Sequence, residues 1–503
     1  MRTRLSLLAL LFTLFTPIAH AQPGSLDLSF NPGAGFNGPV NALVVQSDDK
    51  LICVGQFTTY QGVSRRGIVR INVDGSIDNT FTTGTGFASV SPPNFVINAV
   101  ALQADGKILC GGIFNSYNGT ARKHMLRLNA NGSIDLTFGT TTGGPNGNVL
   151  AVIVDPSGKI FCGGIFTTYD GQTRHLVAKL NSNGTVSNGF TTGSGFGGTA
   201  LRVSSLCFGR TSGFLDGGVI CGGTFNSYRG TVSKSLCKMN SNGETSTNWY
   251  GGQIQLGPMG STGVDVITEV PGGNGYYIGG NFTTPANRIC KLDLGGNLVA
   301  SFGSTGYDAQ VLSIVPYTSG SGSIICGGGF QNYAGAPSNR IARLSTTGVL
   351  DASFTTGSGF NAPTVLAKAV SGKVYCAGSF TSYNGVARAG VARLNTEAPA
   401  LLPVNTVQPT LSVGSGTEAR MTVWPNPSED GPVSIQLSDL GAEVEHADLM
   451  LFDALGKQIM VQRLIVSEGR AQLTLMVNDL PTGIYSIVLL AGSKTSSQRL
   501  ILG

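Results

Sequence analysis

Cys110-Gly111-Gly112-Ile113-Phe114-Asn115-Ser116-Tyr117-Asn118-Gly119 is the stretch that decides how this chain folds, because six counterparts of it lie elsewhere in the sequence. They begin at Cys53, Cys162, Cys221, Ile278, Cys326 and Cys376, and each reaches a phenylalanine: Phe57, Phe166, Phe225, Phe282, Phe330 and Phe380. A second phrase, Asp74-Gly75-Ser76-Ile77-Asp78, recurs in register. Its glycines are Gly24, Gly75, Gly132, Gly184, Gly243, Gly296 and Gly348, spaced 51–59 residues apart. A near-fixed period of this size marks an array of similar supersecondary units.

One unit shows what the repeat builds. Asn94 to Gln103 is rich in β-branched and apolar residues, and Asp105-Gly106-Lys107 after it has hairpin-turn chemistry. Ile108 to Gly112 predicts the next strand, whose glycines let backbone or a neighbouring unit come close. Asn115 to Gly119 reads as a polar loop and Lys123 to Asn129 as a third strand. Asn131-Gly132 turns into Ser133 to Phe138, a fourth. Four short antiparallel strands per unit, with Gly-containing turns and no helical period, describe a propeller blade. Seven copies predict an all-β, seven-bladed β-propeller over residues 22–395, since a closed ring leaves no long strand edge exposed. Closure would pair Gly24 to Phe30, a strand without its predecessor, with Val391 to Asn395, a strand without its follower. An open β-solenoid is the rival architecture.

At the N-terminus, Arg2 and Arg4 precede the apolar run Leu5 to Ile18 and the small-x-small site Ala19-His20-Ala21. This reads as a signal peptide cleaved after Ala21, with no transmembrane segment in the mature chain. Nine cysteines in an exported chain invite a disulfide framework. Six of them occupy one position in six units, however, too far apart to bridge one another, and read as small buried hydrophobes. Cys237 and Cys290 align at a second core position, and Cys207 has no assignment. Hydrophobic residues make up 41% of the chain and charged ones 12%, which excludes disorder. The net charge of +5 divides unevenly, basic before Met421 and acidic after it, and the basic residues are spread over the repeats without a nucleic-acid patch.

The three phrases together resemble the delta-60 repeat family of bacterial β-propellers over roughly residues 24–395. The resemblance implies a fold and no agreed activity. Departures lie at Asn183 to Ser187, at Asn242 to Ser246 and at Pro285, which replaces a loop tyrosine. Residues 396–420, with Pro399, Pro403, Pro409 and Gly414, read as a linker. Residues 421–503 alternate strands with Gly and Pro turns and predict a small Ig-like β-sandwich. Pro425-Asn426-Pro427, Asp453 with Gly456-Lys457, and Gly483 with Tyr485 resemble the type A C-terminal sorting domain of the type IX secretion pathway of Bacteroidetes. The resemblance implies type IX secretion machinery as the partner of residues 421–503, and a secreted or outer-surface location.

Candidate site residues fall in two rings. Arg70, Arg127, Lys179, Lys238, Lys291, Arg343 and Arg393 share one strand position. They form either a cationic ring for an anionic glycan or phosphate, or structural pairs with Asp27, Asp78, Asp135 and Asp351. Lys179, Lys238 and Lys291 lack an aspartate, so the ligand reading rests on them. Tyr60, Tyr117, Tyr169, Tyr228, Tyr333 and Tyr383 recur in loops, either as aromatic contacts for sugar or protein or packed on their own blades. His124 and His175 are strand-entry residues, and no metal or catalytic motif is present. The expectation is a non-enzymatic binding module without cofactor, with a glycan or protein ligand and no nucleic acid. The alternatives are a polysaccharide hydrolase or lyase at the propeller channel, built from the off-pattern acids Asp216, Glu244, Asp265 and Glu269, or a purely structural surface protein.

Overall fold

Seven three-stranded antiparallel sheets follow one another along the chain. The first pairs Val40–Val45 with Leu51–Gly55 and that strand with Ile68–Ile71. The second uses Val96–Leu102, Ile108–Ile113 and Met125–Leu128. The third uses Asn148–Val154, Ile160–Ile165 and Val177–Leu180, and the fourth Arg202–Thr211, Phe214–Thr224 and Leu236–Met239. The computed structural model describes residues 22–89, 95–139, 143–246, 249, 263–303, 305–317, 323–368, 373–397, 420–428, 432–453, 458–477, 483–491 and 494–502. The signal segment 1–21, most of the linker, Gly456 and Lys457 lie outside them.

The opening strand of each sheet packs on the opening strand of the next, and Thr364–Lys368 of the seventh packs on Val40–Val45 of the first. The sheets therefore close into a ring with their opening strands innermost, which is a β-propeller. The expected fourth strand is reduced to one bridging residue. The bridges are Ile71↔Ile77, Leu128↔Ile134, Leu180↔Val186, Met239↔Thr245, Leu292↔Leu298 and Leu344↔Leu350, and Leu26↔Leu394 completes the set. The reason is local. The Asp78 carboxylate accepts the N–H and the hydroxyl of Thr80, which turns the chain toward the next sheet after one rung. The loop at Asn115 is likewise a small hairpin, pairing Ser116–Tyr117 with Thr120–Ala121.

The ends close as their sequences require. Gly24 N donates to Asn395 O at 2.8 Å, Asp27 N to Arg393 O at 2.8 Å and Asn395 N to Ser25 O at 2.9 Å. The seventh sheet thus takes its outermost rung from the N-terminal segment, as every other sheet takes its own from the start of the next repeat.

The core lies between neighbouring sheets. Ile52 and Val54 of the first meet Phe81, Ile97, Ile108 and Cys110 of the second. At Gly111 a Cβ would stand 2.5 Å from Val149 Cγ1 of the third sheet, so the strand glycine is where the next unit seats its own core. The turn glycine Gly75 has φ +94°, and its Cβ would meet Asn31 O at 2.4 Å. Both constraints exclude a side chain there.

The chain divides into two compact units, Met1–Leu402 and Pro403–Gly503, with the boundary inside the expected linker. The second unit has a three-stranded sheet of Arg420–Trp424, Pro432–Ser438 and Ala471–Met476. Its other sheet is four-stranded, in the order Gln458–Ile465, His446–Phe452, Gly483–Ala491 and Lys494–Leu502. Val433, Ile435 and Leu437 of one share a single core with Leu449, Leu451, Ile487 and Leu489 of the other, the packing of a sandwich. Asn426 ties the entry segment down: its Oδ1 accepts the Ile501 N–H at 2.9 Å and its Nδ2 donates to Arg499 O. Pro425 is half-buried and Pro427 exposed beside it, Asp453 and Gly483 are half-buried, and Tyr485 is buried in the core. Among the described residues no helix is long and apolar enough to cross a membrane.

Candidate functional site

The two residue rings resolve differently. All six tyrosines are buried, at 0–3% exposure. Tyr60 donates its hydroxyl to Gly75 O at 2.6 Å, Tyr117 to Gly132 O at 2.8 Å and Tyr228 to Gly243 O at 2.5 Å. Tyr333 and Tyr383 donate in the same way to Gly348 O and Gly24 O. Tyr169 departs, its hydroxyl meeting Met125 Sδ at 3.8 Å. The reading of these residues as exposed aromatic contacts is therefore corrected: all six are buried, and in five of them the phenol satisfies the carbonyl of the positive-φ turn glycine. A ring with no exposed face cannot contact a polymer.

Four of the seven cations brace neighbouring sheets. Arg127 Nε meets Asp135 Oδ2 at 2.9 Å, its Nη1 donates to Ser182 O of the third sheet, and its guanidinium lies 4.8 Å from the Phe138 ring centre. Arg70, Arg343 and Arg393 repeat this set with Asp78, Asp351 and Asp27, reaching Ala130, Thr396 and Val73 across the junction. Burial alone would raise Asp27, but hydrogen bonds from Lys373 and Ser29 and the Arg393 charge hold it down to about 2. The same forces hold Asp78 and Asp135 low, with Lys50 and Lys107 as additional partners.

The three lysines without an aligned aspartate diverge. Lys238 is buried and has recruited Asp216 from the fourth sheet's own hairpin, at 2.6 Å, with Arg210 O at 2.8 Å. This corrects its reading as an available cation: its partner lies 22 residues upstream, off the repeat pattern. Lys291 is half-buried, 5.5 Å from the Tyr277 ring centre. Lys179 is half-buried over Phe161 at 5.0 Å, and Ser187 holds the position of the missing aspartate. Its Nζ donates to Gly217 O of the fourth sheet over a long 3.3 Å. Desolvation lowers its pKa, against the opposing charge of Asp155.

Lys179 lies over one wall of a cleft at this junction. The cleft, of about 240 Å³, lies between Asp155, Ser157 and Phe161 of the third sheet and Phe208, Leu215 and Gly217 of the fourth. Another wall is Leu215, 38% exposed near the tip of the fourth sheet's hairpin, the longest among the described residues of the propeller, and Phe214 beside it is 78% exposed. The sequence reading missed these wall residues. The signal that could have found them is the repeat length: Gly184 to Gly243 is the longest interval.

The off-pattern acids do not stand free. Asp216 holds Lys238, Glu269 pairs with Arg210 at 2.7 Å, and Glu244 accepts from Asn240. Asp265, on the inner strand of the fifth sheet, accepts Gln310 Nε2 at 2.8 Å and lies 3.4 Å from Arg202. Burial raises it to about 6 against both of these partners. His124 is half-buried with Nδ1 against Gly112 O, and His175 packs beside Gly195. Among the described residues no three His, Cys, Asp or Glu side chains gather as a metal site would need.

Comparison with known proteins agrees with this architecture. The model of a domain of unknown function described as the DUF5122 β-propeller matches residues 46–81, 103–138, 156–190, 320–354 and 371–397. The matches leave out the arc holding the fourth and fifth sheets. The model of a secretion system C-terminal sorting domain matches residues 422–503. No curated protein matches. Among solved structures, dimeric latent PorU from Porphyromonas gingivalis aligns at 8% identity and TM-score 0.15, over 77% of this chain and 36% of its own. Surface layer protein SbsC, domains 1-6, aligns at 9% identity and TM-score 0.12, over 93% of this chain and 54% of its own. The chain thus spans about a third and about half of those two structures, and likenesses at these scores bear on neither fold nor function.

Proposed function

Starting from a chain that carries DUF5122 β-propeller repeats and a type IX secretion C-terminal sorting domain, and is therefore a secreted or cell-surface β-propeller protein, we propose that it is a non-enzymatic binding module for an acidic glycan. The signal peptide would be removed after Ala21 and the sorting domain read by the type IX machinery. The observation that carries the binding reading is the lapse of the Arg–Asp brace at the third and fourth sheets. There a half-buried lysine with no ion-paired carboxylate among the described residues lies over Phe161, at the edge of a cleft whose lining combines Phe161, Phe208 and Leu215 with Asp155 and Ser157. An ammonium beside ring surface suits a sugar that carries a carboxylate or sulfate, since the ring faces pack on sugar C–H groups while the cation takes the charge.

The hydrolase or lyase reading has less support. Glycoside hydrolysis needs two carboxylates facing one bond, and the four off-pattern acids are each held by a cation or amide partner. The test is a glycan array probed with the mature chain, alongside Lys179→Ala and Lys291→Ala. Saturable binding to uronate or sulfated glycans that falls at least tenfold with Lys179→Ala, and holds with Lys291→Ala, is the expected result. Absence of binding, or binding indifferent to Lys179→Ala, overturns this site.

A further inference from the structure

Across the ladder from each middle-strand cysteine stands an apolar residue of the outer strand. The pairs are Cys53↔Val69, Cys110↔Leu126, Cys162↔Ala178, Cys326↔Ala342 and Cys376↔Ala392. In the fifth sheet Ile278 faces Cys290. The fourth sheet alone among the seven has cysteine on both strands, with Cys221 directly opposite Cys237.

Directly opposed residues of an antiparallel pair send their side chains to the same face. Both thiols lie in one buried cluster with Val203, Val219 and Tyr228. Gly223 N donates to Ser235 O at 3.0 Å in the same ladder. Hydrogen-bonded pairs alternate along such a ladder, so two residues further on Cys221 and Cys237 form a hydrogen-bonded pair, with Cα atoms about 5.5 Å apart. A disulfide spans roughly 4.4–6.8 Å between Cα atoms. Bridges between units are excluded by distance, but this bridge within one unit is not.

We propose that Cys221 and Cys237 are joined by a cross-strand disulfide in the secreted protein. The oxidant is a protein or small-molecule disulfide of the compartment through which the chain is exported. The Cys221 thiolate attacks that disulfide, forming a mixed disulfide and releasing one thiolate. The Cys237 thiolate then attacks Cys221 Sγ, the mixed S–S bond breaks, and the second thiolate leaves. The two cysteine thiol protons pass by way of solvent to the two released thiolates, so two electrons and two protons reduce the oxidant to two thiols. Burial pushes the Cys221 thiol well up in the folded sheet, so the exchange takes place while the fourth sheet is still closing, when thiolate can form. The bridge then ties the outer strand to the hairpin that walls the Lys179 cleft. The remaining cysteines have no thiol opposite them and stay reduced.

The test is the thiol count of the full-length protein secreted into the medium, denatured without reductant, alkylated and weighed. Two fewer alkylated sites than the nine cysteines of the chain, with one linked peptide pair holding Cys221 and Cys237 that dithiothreitol separates, is the expected result. Cys237→Ala installs the residue found at Ala178, Ala342 and Ala392, so the sheet should tolerate it, and every remaining cysteine should then alkylate. Nine alkylated cysteines in the secreted wild-type protein, or Cys221 linked to any other cysteine, overturns the proposal. The wild-type mass decides this even if the variant is not recovered.

Discussion

The junction of the second and third sheets and the junction of the third and fourth place a cation at the same strand position and use it in opposite ways. At the first, Arg127 is buried, paired with Asp135, laid on Phe138 and hydrogen-bonded to the next sheet's turn. At the second, Lys179 has one long hydrogen bond and the ring of Phe161, which also lines a cleft. Arginine's planar fork can serve a carboxylate, a hydroxyl and a carbonyl at once, and lysine's point charge cannot. A repeat protein can thus leave one cation unbraced by dropping one aspartate, because the sheet-to-sheet packing keeps the ring closed at every junction.

The sharpest way to break this comparison is to remove both cations in turn. Arg127→Ala should cost about 1.5–3 kcal/mol, because it removes the charged hydrogen bond to Asp135, which keeps Lys107 and Thr137 as partners. Lys179→Ala should cost less than about 1 kcal/mol, the scale of an exposed cation–ring contact. Urea melts of the two variants measure both, and equal costs would mean that the junctions are not different in kind.

The second prediction concerns pH. The folded Asp27 carboxyl lies at about 2, below the ordinary 3.8. An acid whose pKa is lowered by folding contributes its full stabilisation above the unfolded value and loses it as pH falls through the folded one. The window is therefore roughly pH 4 down to 2, and the loss is about 2 kcal/mol. Asp27→Asn should flatten that limb of the stability curve, and an unchanged acid limb in the variant would show that ring closure does not depend on the charge. The third junction, with Ser187 in the aspartate position, has no such limb to lose.

The smallest expected effect separates two tyrosines. Tyr117→Phe leaves Gly132 O without its buried partner, at a cost of about 1–2 kcal/mol. Tyr169→Phe removes only a contact with sulfur and should fall within about 0.5 kcal/mol of wild type. Thermal melts of the pair resolve the difference, and equal shifts would remove the distinction between their loops.

Much of the fold was legible because its signals are local. Asp105-Gly106-Lys107 and Asn131-Gly132 mark turns by their own backbone preferences, and the middle strand Ile108–Ile113 and outer strand Met125–Leu128 fall where the apolar runs place them. The fourth strand was overestimated, since nothing in Ser133 to Phe138 reveals that the Asp135 carboxylate will turn the chain after one rung. The tyrosines were ambiguous for a similar reason. A phenol in a polar loop faces solvent or the core according to whether a bare carbonyl lies within reach, and that carbonyl is 15 residues away in the next turn.

By itself, then, the sequence determined the repeat, its strand order, the pairing of the two ends and the sorting module, because period, turn residues and apolar alternation act between neighbours in the chain. Only the tertiary structure decided which charges are spent. Lys238 finds Asp216 through a hairpin of its own sheet, Asp265 finds Gln310 from the next, and Lys179 finds neither. Those outcomes depend on which side chains the closed ring brings within about 3 Å, and at that range a carboxylate in place of a serine is the difference between a braced cation and an unbraced one.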